Sequence, residues 1–290
     1  MSPDRWTDPA PARVRAWRAF MNRVVLGACY LAAAFVVVPL VLIVWHLVEK
    51  GLPALNLGFF VHMPKPVGEE GGGMANAIIG TLIVVGLGGV IALPLGIGAG
   101  VYLAEFGRGR FAGIVRYTTD LLSGVPSIVV GVVAYGLVVV PMGRFSALAG
   151  SVALAILMLP PIIRATEEMV RLVPQSYRQG ALALGAPRWK VIQQVVLPAA
   201  RAGIVTASML AVARAAGETA PLLFTALGNR FWSVSIDQPI ATLPVFIFDY
   251  ARAPYADWNR QAWTGALVLV MLVALISGVL RLTVRRIRDR

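Results

Sequence analysis

The chain has 290 residues, 58% of them hydrophobic, a mean hydropathy of +0.76 and a net charge of +12. A soluble domain of this length has a roughly even apolar share, so the excess must face something other than water. The basic residues lie in short segments between long charge-free stretches, a pattern that argues against a nucleic-acid partner and for a polytopic helical protein in membrane lipid.

Other classes are bounded by what is missing. Cys29 is the single cysteine, so an intrachain disulfide is impossible. His46 and His62 are too far apart to form a helical metal pair, and no metal site is expected. No Ser-His-Asp or His-Glu-x-x-His arrangement stands out. No Gly-x-x-x-x-Gly-Lys-Ser/Thr occurs, so the chain lacks the usual means of cradling ATP.

In chain order, residues 1–23 are basic and read as a tail. They resemble the start of a signal peptide, but the apolar stretch that follows is about 25 residues, too long for a signal core. It reads as an uncleaved first helix from Val24 to Val48, containing Pro39. Gly71, Gly72 and Gly73 form a flexible lead into the second span, Ala75 to Leu103, where Gly96, Gly98 and Gly100 suit close helix packing. The third span covers Leu121 to Met142, with Ser123 as its cap and Pro126 in its first turn, and Ser127 beside them. Backbone amides at that point could instead attract an anion. The fourth span covers Phe145 to Ile163 and continues towards Arg171, with Pro160 and Pro161 ending or kinking it. The fifth runs from Ala199 to Leu227 and the sixth from Ala262 to Leu280. An external segment, 228–261, is rich in proline and aromatics, including Phe231, Trp232, Phe246, Tyr250 and Trp258. It reads either as an interfacial aromatic belt or as a gate and docking surface.

The fold class is therefore an all-α integral membrane protein with six transmembrane helices spanning 24–284, of which 74–284 form the core, followed by a tail at 285–290. With alternating spans, four connecting or terminal segments fall on one side and hold 18 basic residues, against six in the opposite loops. Both termini are then cytoplasmic.

The cytoplasmic connection between the fourth and fifth spans, 174–198, has its own punctuation. Ser176 and Gln179 fit a capping box, Gly185 suits the left-handed position past a helix end, and Pro187 suits the first turn of the next helix. A short helix over 177–184, a glycine turn and a second helix to Pro198 follow. Leu182, Leu184 and Trp189 then form an apolar patch, either for a partner protein or for the lipid surface.

This connection resembles the cytoplasmic motif of binding-protein-dependent importer permeases, Glu-Ala-Ala-x-x-x-Gly followed by Leu-Pro. The matching residues are Gln179, Gly180, Ala181, Gly185, Leu197 and Pro198, with the glutamate and first alanine replaced. Residues 216–223, Ala-Gly-Glu-Thr-Ala-Pro-Leu-Leu, narrow the resemblance to phosphate importer permeases of the PstA type. So do Ala75–Thr81, Leu122–Val129, Ile156–Pro160 and Gln238–Ala241. The resemblance covers 74–284. It implies a type I ABC importer permease fold in a bacterial inner membrane, no enzymatic activity and no cofactor of its own. It implies three kinds of partner: an ATPase dimer of the PstB type, a second homologous permease of the PstC type and an extracytoplasmic phosphate-binding protein of the PstS type. Gln179, Gly180, Ala181, Leu184 and Gly185 would couple to the ATPase.

Arg214 and Glu218 stand four residues apart in the fifth span and share a helix face. A charge at the bilayer centre costs about 2.5–3.5 kcal/mol on insertion scales, so such residues face the bundle interior or a water-filled path. Two readings stay open. The pair neutralises itself, or the guanidinium meets phosphate through its planar fork of donors and is tuned by Glu218. In the second, Arg214, Glu218, Thr219, Ser123 and Ser127 form the substrate path, and Pro221 bends the helix near Gly217. Three rivals remain: a permease for sulfate, molybdate or phosphonate; a scaffold for phosphate sensing; and a membrane enzyme, for which paired carboxylates or histidines at one depth are not evident.

Overall fold

The computed structural model describes residues 12–69 and 71–288, with side chains from 13 to 278. Arg5 and the last two residues of the expected carboxy-terminal tail lie outside that description. The chain divides into two units, Met1–Lys50 and Gly51–Arg290.

The described part of the first unit belongs to one helix, α1 (Ala12–Gly51), which passes through Pro39 without a break. It takes in 12–23, which the sequence suggested as a tail. Forty residues at 1.5 Å rise give about 60 Å, twice the ~30 Å hydrocarbon core.

The second unit holds α2 (Leu57–Val61), α3 (Ala75–Glu105), α4 (Arg110–Gly124), α5 (Ser127–Met142), α6 (Ala147–Arg171), α7 (Gln175–Ala183), α8 (Arg188–Ala216), α9 (Ala220–Leu223), α10 (Leu243–Arg252) and α11 (Ala256–Arg288). Among the described residues, five helices are long and apolar enough to cross a membrane, and the bent pair α4–α5 adds a sixth when counted as one span.

α3 packs along α6, and glycine sets the spacing. A Cβ on Gly96 would lie 2.7 Å from Ile162, and one on Gly100 would lie 2.5 Å from the Thr166 Cβ. A Cβ on Gly80 would run into the Ala241 carbonyl oxygen. Gly98 faces away, with nothing near the space a Cβ would fill. The core between them is apolar: Val84, Ala92, Leu154, Met158 and Ile162 are buried, joined by Leu222 of α9. Where helices carry hydrocarbon-facing side chains, close backbone approach replaces hydrophobic drive as the source of packing.

Several boundaries differ from expectation for local reasons. Pro160 and Pro161 lie inside α6 and neither ends it. The second helix expected in the 174–198 connection and the fifth span are one helix, α8, which runs through Pro198. A widened turn at Ile192–Val196 precedes that proline, and another at Tyr135–Val139 precedes Pro141. Each stands where a missing N–H and the proline ring would disturb a regular helix. The segment 228–261 is partly helical: α10 lies inside it and α11 begins before its end.

The segment's irregular part closes the amino-terminal end of α6. Ser146, Ala147 and Leu148 donate their N–H groups to the carbonyls of Thr225, Gln238 and Ile236, at 2.9–3.0 Å. The Ser146 hydroxyl accepts from Ala149 N–H at 3.1 Å. Donors that a helix start leaves unpaired are thus met by protein.

Gly100→Ala is expected to lower the thermal midpoint of the purified protein, because overpacking against fixed neighbours costs about 1–3 kcal/mol. Gly98→Ala is expected to leave it unchanged or raise it, since alanine favours helix by about 1 kcal/mol. Equal midpoints for the two variants would contradict the packing described.

Candidate functional site

Two helix interruptions build the site. α4 ends at Gly124, Val125 and Pro126 are extended, and α5 departs at 111°. A residue before proline avoids the helical region, which accounts for the break at Val125. The expected third span, Leu121 to Met142, is thus bent at Val125, and Ser123 does not cap α5. Its hydroxyl donates to the Thr119 carbonyl at 3.0 Å, one turn back in α4. The second interruption is in the fifth span. α8 stops at Ala216, and α9 starts at Ala220 with Pro221 in its first turn. The expected continuous helix to Leu227 is thus broken at Gly217–Thr219. The broken segments touch: a Cβ on Gly131 of α5 would lie 2.6 Å from the Cα of Pro221.

Between the interruptions lies a cavity of about 270 Å³, lined among others by Ser123, Pro126, Ser127, Pro160, Arg214 and Glu218. The structure thus brings together four of the five residues expected to form a substrate path. Thr219 does not line the cavity; its carbonyl accepts from Leu222 and Leu223 N–H and starts α9. The Arg214 side chain is 79% exposed and that of Glu218 is 21% exposed, with Nε and Oε1 4.0 Å apart. That separation is too long for a hydrogen bond, and among the described residues the Arg214 guanidinium makes no other polar contact. Its donor fork is unspent.

The connection over 174–198 folds as a hairpin of α7 and the start of α8. The glycine turn is as expected: Gly185 has φ +81°, Ala186 N–H donates to Ala181 O at 3.2 Å, and Gly185 N–H donates to Leu182 O at 3.0 Å. This is the paired bonding of a Schellman end, with Ala181 and Ala186 packed on the same apolar cluster. The capping box does not form. α7 begins two residues earlier, after Pro174, so Ser176 sits inside the first turn and makes no cap. Pro187 precedes α8 rather than lying in it. Leu184 is 89% exposed, Gln179 and Gly180 are exposed, and Ala181 is half-buried.

Three functional features escaped the sequence reading, which treated their arginines as topology signals. Arg178 is almost buried and pins α7 to the body of the protein. It donates to Glu105 of α3 at 2.8 and 3.1 Å, to the Val170 carbonyl at 2.8 Å and to the Val173 carbonyl. Glu167 of α6, 3% exposed, pairs with Arg116 at 2.7 Å and Arg171 at 2.6 Å. Arg116 also donates to the Leu103 carbonyl, so α3, α4 and α6 are joined at one point. The spacing of Arg164, Glu167 and Arg171 on one helix face was readable; the long-range partners were not. The third feature is the division of the external aromatics. Phe246, Tyr250 and Trp258 are buried, Tyr250 stacking on Trp258 at 4.3 Å, while Phe231 and Trp232 are exposed.

The arrangement is that of a permease: a bundle, an exposed hairpin between two long helices and a cavity at two helix breaks. By fold the chain is a type I importer permease. A chain of a bacterial alginate ABC transporter aligns with TM-score 0.69 and 14% identity, over 94% of this chain and 98% of that one. A chain of the MetNI methionine ABC transporter aligns with TM-score 0.63 and 21% identity, over 74% and 95%. Residues 96–289 match the family described as binding-protein-dependent transport system inner membrane component. Among relatives, the phosphate transport system permease protein PstA of Yersinia pestis is 46% identical over 91% of this chain and 90% of its own length. PstA of Haemophilus influenzae is 44% identical over 92% and 94%, and PstA 1 of Mycobacterium tuberculosis H37Rv is 37% identical over 90% and 86%. The chain belongs to the binding-protein-dependent inner-membrane permeases and, within them, to the PstA family.

The Gly185 turn gives a direct test of the hairpin. A side chain in the left-handed region costs about 1–2 kcal/mol, more with β-branching. Gly185→Val is expected to leave the protein in the membrane while uncoupling ATP hydrolysis from transport. Normal coupled transport by that variant would contradict the assignment of the hairpin to coupling.

Proposed function

We infer that the chain is the membrane-spanning permease subunit of an ATP-driven importer of inorganic phosphate in a bacterial inner membrane. The observation that carries this is the unspent guanidinium of Arg214 at the rim of a cavity built by two broken helices, in a chain whose relatives are phosphate permeases. A planar fork of donors matches phosphate oxygens, and the amide end of α5 lies on the same cavity wall.

The exposure of Arg214 also bears on assembly. A guanidinium 79% exposed on a hydrocarbon-facing surface is costly, so this face is covered by protein and water, not lipid. A second six-helix permease of the PstC type supplies that cover, and the path runs between the two chains. An ATPase dimer of the PstB type offers two grooves, one for the α7 hairpin of each permease. A phosphate-binding protein of the PstS type docks on the external side near Phe231 and Trp232. The hairpin, with its basic surroundings and the termini, lies in the cytoplasm. The chain performs no hydrolysis itself; ATP is bound by the partner.

α8 connects the two working ends. It runs unbroken from Arg188, beside the hairpin, to Ala216, beside the cavity. From Arg188 to Arg214 is roughly 40 Å along the axis at 1.5 Å per residue. A displacement of the hairpin by the ATPase reaches the cavity as motion of one rod. Glu218 sits just past the end of that rod and holds the guanidinium loosely enough for phosphate to replace it as partner.

Arg214→Gln is expected to abolish phosphate uptake in proteoliposomes with all partner subunits, while expression and assembly persist. Arg214→Lys is expected to be impaired, since a point charge does not reproduce a planar fork. The double variant Arg214→Gln with Glu218→Gln carries no unpaired charge and is expected to assemble well and remain inactive. Uptake restored in the double variant would assign the pair to the scaffold. A homodimer of this chain that transports phosphate would contradict the second-permease requirement.

A further inference from the structure

A second cavity, distinct from the path, opens at the base of the coupling hairpin. It has a volume of about 530 Å³ and lies between the end of α3, the end of α6, α7 and the start of α8. Four arginines from four segments line it: Arg108 from the α3–α4 turn, Arg171 from α6, Arg178 from α7 and Arg188 from α8. The only carboxylate on its wall is Glu105. Gln179, which stands where the importer motif has glutamate, adds an amide and no charge.

The four guanidinium groups are not equivalent. Arg178 is held by Glu105 and two backbone carbonyls, and Arg171 by Glu167. These two are fixed in place. Arg108 and Arg188 enter no ion pair among the described residues, and both are exposed. Two paired and two unpaired guanidinium groups thus converge on one polar cavity, with Glu105 and Glu167 compensating the first two only. Like charges so gathered repel one another unless an anion joins them.

We propose that this cavity is a binding site for a phosphate group, separate from the transport path, which bridges the α7–α8 hairpin to the end of α3. A phosphate group offers more acceptor oxygens than a carboxylate and so can meet guanidinium groups from several walls at once. Two sources supply that chemistry: the headgroup of an anionic phospholipid, and free inorganic phosphate. A basic cavity between helices beside a membrane surface suits the first; accumulated phosphate on the cytoplasmic side suits the second. The proposal does not depend on phosphate being the cargo. Its mechanical consequence follows from geometry. Arg188 begins α8 and Arg108 follows α3, so an anion between them adds a cross-link parallel to the Arg178–Glu105 pair.

The test uses the complete transporter, without nucleotide, in nanodiscs of phosphatidylcholine alone or of phosphatidylcholine with phosphatidylglycerol. The variants are Arg108→Gln with Arg188→Gln, which removes the unpaired charges, and Arg108→Lys with Arg188→Lys, which keeps them. All carry Arg214→Gln, so that binding in the path does not obscure the reading. Retention of the ATPase subunit on size exclusion verifies assembly. If free phosphate is the ligand, radiolabelled inorganic phosphate binds in neutral nanodiscs, about tenfold more weakly in the glutamine variant, with the lysine variant between. If the headgroup is the ligand, inorganic phosphate does not bind, but phosphatidylglycerol raises the thermal midpoint of the parent and not of the glutamine variant. Absence of both effects in the parent, or equal effects in parent and glutamine variant, would overturn the proposal and leave the cavity to a carboxylate of the ATPase partner or to solvent.

Discussion

A backbone that leaves the helical state inside a membrane must find partners in protein or water, because hydrocarbon supplies none. The structure meets this constraint by placing its two interruptions against each other. The break at Val125–Pro126 and the break at Gly217–Thr219 share one cavity, and Gly131 lets α5 close onto Pro221. Neither break would be tolerable alone on a lipid-facing surface. Together they create a polar recess where one arginine keeps its donors free. The cavity, the charge and the functional reading all follow from that pairing of defects.

The rest of the fold holds this arrangement in place from both ends. At one end, the irregular segment satisfies the first N–H groups of α6, and α10 is buried against Phe59, Met74 and Trp258. On the other side, Glu167 joins α4, α6 and the end of α3 through Arg116 and Arg171, and Arg178 joins the hairpin to Glu105. Removing one partner from such a buried pair costs roughly 3–5 kcal/mol, because the other charge is left uncompensated. The hairpin is therefore anchored at its base and exposed at its tip, with Leu184 at the turn. A surface that must press on a second protein is well served by that combination.

Much of the plan was readable in the sequence because its signals are local. Apolar length located the spans, and Gly185 located the turn, since only a left-handed backbone closes it. The Arg214–Glu218 spacing and the paired serines pointed to one site, and the structure draws them together around one cavity. What was unreadable depends on tertiary geometry. Ser123 looks like a cap, yet it closes the helix before the break, because the chain turns at Val125 and not ahead of Ser123. Ser176 looks like a cap, yet α7 starts two residues sooner, after Pro174. Pro160 and Pro161 look like a stop, yet α6 continues through them to Arg171, where Glu167 and its arginines fix its last turns. The roles of Arg116 and Arg178 rest on partners 51 and 73 residues away, which no helical periodicity reports.

The central claim is that the recess between the two breaks is a water-filled phosphate path, and accessibility at Ser127 tests it most directly. In a transporter with Cys29 replaced by serine, Ser127→Cys would be treated with a charged, membrane-impermeant thiol reagent in the presence and absence of phosphate. The account predicts reaction from water in the transporting complex and slower reaction when phosphate occupies the recess. A thiol at position 127 that is inert to the reagent, or whose reactivity ignores phosphate, would contradict it.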